Sequence, residues 1–143
     1  MTGLTAEQTV DGVGRLLWLS QELAAALAAW DEPSDDAALR VWVAGARRRL
    51  ATHIDEWRSQ LPESVLLEPD ARIRPGPGDE ARLARLAGAD DPGAFRAAAN
   101  DVVEALVTVI DVLVAGAGPV ADGALLRAGS AVRGDLVALA PPR

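Results

Sequence analysis

The sequence predicts an all-α protein built as a bundle of four long helices, and three observations carry that expectation. Half of the residues are hydrophobic, mostly Ala, Leu and Val, with one Phe and no Tyr. Such a set favours close helix packing over a β-sandwich, whose strands draw on β-branched and aromatic side chains. Apolar residues recur at three- and four-residue spacing through four stretches of the chain. Proline, glycine and acidic clusters fall where those stretches stop. The length of 143 residues suits one domain over 1–143. A chain of that size buries roughly 68–70% of its unfolded surface, enough for one core without staples.

The first helix is expected over about 5–30. Thr5 is its N-cap, with Gln8 as capping-box partner. At ~100° per residue, Val13, Leu16, Leu17, Ser20, Leu23, Ala24 and Leu27 share one face. Asp11, Arg15, Trp18 and Glu22 share the opposite one. A tryptophan on a polar face is either part of a wide buried stripe or a subunit contact, so Trp18 is the interface candidate.

Pro33 stops that helix, and Ser34 or Asp35 is expected to cap a second one over about 35–61, which Pro62 ends. Its inward stripe is Leu39, Trp42, Val43, Ala46, Leu50, His53, Ile54, Trp57 and Leu61. An irregular crossover follows over 62–79, containing Arg74-Pro75-Gly76-Pro77-Gly78, and then a short helix over 79–87 with Leu83 and Leu86 inward. The third long helix runs over about 92–115, capped by Asp91 with Pro92 at its first position. Phe95, Ala98, Ala99, Val102, Leu106, Val109, Ile110 and Leu113 face inward, and Asn100, Glu104, Thr108 and Asp111 face away. Gly116 and Gly118 end it, and Pro119 starts a fourth over about 119–139. The stripe of that last helix is Ala121, Leu125, Ala128, Val132, Leu136 and Leu139, with Asp135 at its edge. Two tight connections and one long crossover between the second and third long helices match the ferritin-like layout better than a simple up-and-down bundle.

Composition excludes several functions. The net charge of −7 opposes nucleic-acid or membrane-surface binding, which needs a basic face. Arg47-Arg48-Arg49 is a local exception, read as a solvated face paired with acids such as Asp36 and Asp55, or alternatively as an anion or nucleic-acid contact, which the overall acidity opposes. The absence of cysteine excludes thiolate metal sites and fits a cytoplasmic protein. The acidic, polar start of the chain reads as no signal peptide, and no stretch is long and apolar enough for a membrane span.

The stretch from Ala46 to Pro62 holds the only histidine, which lies on an apolar stripe with Glu56 three residues away. A di-metal site in such a bundle needs a carboxylate from each of two helices and a Glu-x-x-His from each of the other two, because two iron or manganese ions want hard oxygen donors with one imidazole each. One histidine makes the full set impossible, and Glu22, Glu104 and Asp111 fall on outward faces. The candidate polar core cluster is therefore His53, Glu56, Asp135 and Ser20, with no catalytic residue and no cofactor expected. His53 is read as a core histidine held by Ser20, Glu56 or Asp135, as the polar anchor of a small-molecule pocket, or as a general base oriented by Glu56 or Asp135. The alternative is an iron or manganese site using His53, Glu56 and Asp135.

Two stretches carry a resemblance. Thr52-His53-Ile54-Asp55-Glu56-Trp57-Arg58-Ser59-Gln60-Leu61-Pro62 resembles the end of the second helix in small bacterial ferritin-like proteins, distant relatives of the di-iron tRNA hydroxylases. Gly118-Pro119-Val120-Ala121-Asp122-Gly123-Ala124-Leu125-Leu126-Arg127 resembles the turn into their last helix. Relatives tend to have a His-x-x-His pair ending at the position of His53, where this chain has Leu50 at the first site. The resemblance implies a ferritin-like scaffold that has lost its metals. The expected function is a non-catalytic homodimeric bundle that binds a protein partner or a small molecule, with a metal-dependent oxidoreductase or hydroxylase as the alternative.

Overall fold

A computed structural model describes residues 3–30, 36–63 and 65–139, all helix, turn and irregular chain without a strand among them. Five α-helices are present: α1 (Ala6–Ala29), α2 (Ala37–Gln60), the short α3 (Asp79–Ala87), α4 (Pro92–Gly116) and α5 (Gly123–Ala138). No described helix is long and apolar enough to cross a membrane.

Local chemistry sets most boundaries. Thr5 caps α1 through a complete capping box, its Oγ1 accepting from Gln8 N–H at 3.1 Å while Gln8 Oε1 accepts from Thr5 N–H at 2.9 Å. Asp91 caps α4, accepting from Ala94 N–H at 2.8 Å ahead of Pro92. The expected caps of the second helix, Ser34 and Asp35, lie outside the described residues; Asp36 does the capping, accepting from Leu39 N–H at 2.9 Å. The last helix starts at Gly123, not Pro119. The Asp122 carboxylate accepts the Gly118 N–H at 2.7 Å and Asp122 N–H bonds Gly118 O at 3.0 Å, which closes a turn over 118–122. Ala121, expected inward, is exposed in that turn.

The long helices close a ring in which α1 packs on α2 and α4, and α5 packs on α4 and α2. Named contacts fix their directions. The start of α1 meets the end of α4, where Leu4 lies over Gly116, and Trp30 stacks on Phe95 at 4.0 Å at the other end. The Trp42 indole donates to Leu139 O at 2.8 Å, and His53 meets Asp135 further along, so α2 and α5 run antiparallel. Ring neighbours are thus antiparallel, and the diagonal pair α2 and α4 is parallel. Joining them takes a crossover that returns along the length of the bundle.

That crossover, with 3-10 turns at Val65–Leu67 and Pro69–Arg72, is strapped to α1. Asp79 is fully buried. It accepts two hydrogen bonds from the Arg15 guanidinium, at 2.7 and 2.9 Å, one from Gly76 N–H at 2.7 Å and one from Arg82 at 3.1 Å. Arg72 pairs with Asp11 at 2.8 Å. Gly14 makes room for the strap, since a Cβ there would run into the carbonyl oxygen of Arg72. Gly78 supplies the left-handed conformation, φ 80°, that turns the strap into α3. Arg15 and Asp11, expected to face solvent, instead hold this segment, and Val10 and Leu19 are buried beyond the expected stripe of α1. Trp18 is half-buried and packs against the core.

Burial pushes the Asp79 carboxyl up, but the Arg15 and Gly76 hydrogen bonds and the charges of Arg15 and Arg82 outweigh it and hold the group below the ordinary carboxylate value. Its contribution is therefore full above the unfolded value of about 3.9 and is lost as the pH falls from there through the lower folded value. Asp79→Asn is expected to reduce stability by about 2–4 kcal/mol at neutral pH, because it strips a partly buried guanidinium of its counter-ion. Urea denaturation between pH 7 and about 3 checks both parts: the wild type loses stability over the acid end of that range, and the variant loses less.

Candidate functional site

The polar cluster forms between α2 and α5. His53 sits on the buried stripe of α2 among Ala46, Leu50 and Trp57, and is 2% exposed. Across the interface, Asp135 lies at the edge of the α5 stripe. The imidazole Nε2 and Asp135 Oδ2 are 2.9 Å apart. The second carboxylate oxygen, Oδ1, accepts from Arg49 at 3.1 Å. A proton on Nε2 donates to the carboxylate and leaves Nδ1 as an acceptor, buried and without a partner among the described residues. Arg49 holds the carboxylate from the solvent side, so that a half-exposed ion pair anchors a buried ring.

A cleft of about 370 Å3 opens beside this pair. Its α2 wall presents Thr52, His53, Glu56 and Gln60, and Ala124, Ala128 and Ala131 of α5 leave the space opposite. Arg127 and Asp135 stand at its rim. The cleft exists because short alanine side chains on α5 face longer polar ones on α2. Small residues at three- and four-residue spacing opposite His53 were the available sequence signal for it.

Of the four expected members, His53 and Asp135 are joined. Glu56 lines the cleft but makes no hydrogen bond to the imidazole. Ser20 is buried in α1 and bonds to neither. Arg49, Thr52, Gln60 and Arg127 belong to the site and were not singled out for it. The arginine run corrects another expectation. Arg49 pairs with Asp135, the guanidinium groups of Arg47 and Arg48 make no hydrogen bond or ion pair among the described residues, and the partner shown for Asp36 is Arg96.

Chemically, the arrangement holds a histidine in place and does not expose it. A general base needs a nitrogen within reach of its substrate, and here one ring nitrogen is bonded to Asp135 and the other is sealed in the interior. Among the described residues, no group of three or more His, Asp or Glu side chains is placed to hold a metal ion, so His53, Glu56 and Asp135 do not converge as a ligand set. Glu22 and Glu104 are exposed, and the half-exposed Asp111 is held by Arg133 at 2.6 Å. Comparison of the chain with protein-family models, curated proteins and solved structures finds no match in any of the three.

The pairing has a direct check. Asp135→Ala leaves a buried imidazole nitrogen without its partner and is expected to lower stability by about 1–3 kcal/mol. Glu56→Ala, which breaks no hydrogen bond, is expected to stay within about 0.5 kcal/mol of the wild type. Thermal unfolding of the two variants side by side identifies the carboxylate that holds His53.

Proposed function

We propose that the protein is a non-catalytic bundle of ferritin-like layout, without a working di-metal site, that binds a small polar molecule in the cleft between α2 and α5. One observation carries this reading. A buried histidine and a carboxylate meet at the wall of an open cleft, and no third ligand-type side chain joins them among the described residues. Pockets for small molecules combine apolar lining with a few fixed polar groups, and alanines facing Thr52, Glu56 and Gln60 have that character. The lengthwise crossover between the parallel helices α2 and α4 supports the ferritin-like layout. The outward placement of Glu22, Glu104 and Asp111 supports the loss of metals. A homodimer through Trp18 would use the part of that side chain left accessible beside the core.

Elemental analysis of the protein purified without chelator, beside His53→Ala, tests the metal part. Sub-stoichiometric iron and manganese in both are expected, and a stoichiometric metal lost in the variant would restore the oxidoreductase or hydroxylase reading. A thermal-shift panel of small polar metabolites on the wild type and Ala131→Trp tests the cleft. Ligands that stabilise the wild type and not the filled variant are expected; identical shifts, or none at saturating concentration, would sink the cleft as a binding site. Light scattering of the eluting peak gives the oligomeric state, and a monomer would remove the Trp18 dimer.

A further inference from the structure

The arginine run serves neither the cluster at His53, beyond Arg49, nor the ion pairs expected of it. Residues Ala37–Gln60 carry five arginines and two acids, a net charge of +3 on a chain of net −7, so everything outside α2 carries −10. The positive charge is gathered on the side of α2 turned away from the core. Arg40, Arg47, Arg48 and Arg58 are all exposed there, with Asp55 the one acid among them. The guanidinium groups of Arg47, Arg48 and Arg58 have no ion pair among the described residues. Between them Val41 stands 73% exposed, with Ala44 and Ala51 on the same face. The packing partners of α2 are α1 and α5, and the crossover lies on other helices, so no described element covers this face.

We propose that the outer face of α2 is a docking surface for an acidic amphipathic helix of a partner protein. Charge complementarity selects the occupant. Arginine forks suit carboxylates at helical spacing, and Val41 with its alanines gives the partner an apolar seam between the charges. The ridge from Arg40 to Arg58 spans about 27 Å at 1.5 Å per residue, the length of a helix of about five turns. A nucleic acid is the poorer fit, because a strand longer than the ridge runs onto surface whose net charge is negative.

The test uses the full chain and two labelled helical peptides of about 18 residues, one with glutamates flanking a Leu/Ala seam and one with lysines at the same positions, read by fluorescence anisotropy. The acidic peptide is expected to bind at least about tenfold tighter than the basic one, to weaken with salt, and to lose about tenfold on Arg47→Glu/Arg48→Glu. These side chains are exposed, so the melting temperature should hold; if the double variant unfolds, Arg58→Glu at the far end of the ridge supplies the same comparison. Equal binding of the two peptides, unchanged binding by a folded variant, no binding of the acidic peptide, or tighter binding of an oligonucleotide of matched length would each overturn the proposal. Ala131→Trp should leave peptide binding intact, which separates this surface from the small-molecule cleft.

Discussion

A carboxylate shut off from water is tolerable only if it is neutralised and fully hydrogen-bonded, and Asp79 imposes that condition on a large part of this fold. Its oxygens take both arms of the Arg15 fork, the Gly76 N–H and Arg82. To meet them, α1 must present Arg15 outward, the crossover must bring Gly76 onto it, and α3 must begin where it does. The strap lies flat because Gly14 has no side chain for the Arg72 carbonyl to meet. Ion pairs of this kind add little net stability over a well-packed apolar substitute. What Asp79 fixes is position, by making any other path for the crossover leave a charge stranded.

That placement divides the molecule into two sides. The crossover and α3 pack against α1 and α4, which leaves the α2 and α5 wall uncovered. The cleft at His53, the half-exposed Asp135 and Arg49 pair, and the arginine face of α2 all lie on the uncovered side. The covered side spends its charges on itself, with Asp11 on Arg72 and Asp79 on Arg15 and Arg82.

Helix boundaries were legible in the sequence wherever a local signal decides them. The capping box at Thr5, Asp91 ahead of Pro92, and the 79–87 helix all come from interactions within a few residues. The start of the last helix was misplaced because Pro119 can open a helix, while Asp122 uses its carboxylate backwards on Gly118 and delays it. The meeting of His53 and Asp135 could be anticipated because helical periodicity put His53 on one stripe and Asp135 at the edge of another. Their separation from Ser20 and Glu56 could not, since it depends on how two helices rotate against each other. The Arg15 and Asp79 bond joins residues 64 apart. Its only trace was indirect, in glycines at 12 and 14 of an otherwise good helix former. The arginine run misled because adjacency to acids in sequence is not proximity on a helix: Asp55 is seven residues from Arg48, and Asp36 is taken by its cap and Arg96.

The separation of 64 residues between Arg15 and Asp79 also bears on the order in which the chain assembles. The pair α1 and α2, and the pair α4 and α5, are each joined by a short connection, so each closes at small loop entropy. The strap closes late by comparison, since its partners become neighbours only once a half of the bundle exists to hold Arg15 in place. Asp79 follows the first hairpin and precedes the second along the chain, so a nascent chain can seat its crossover on α1 before α4 and α5 arrive to complete the ring.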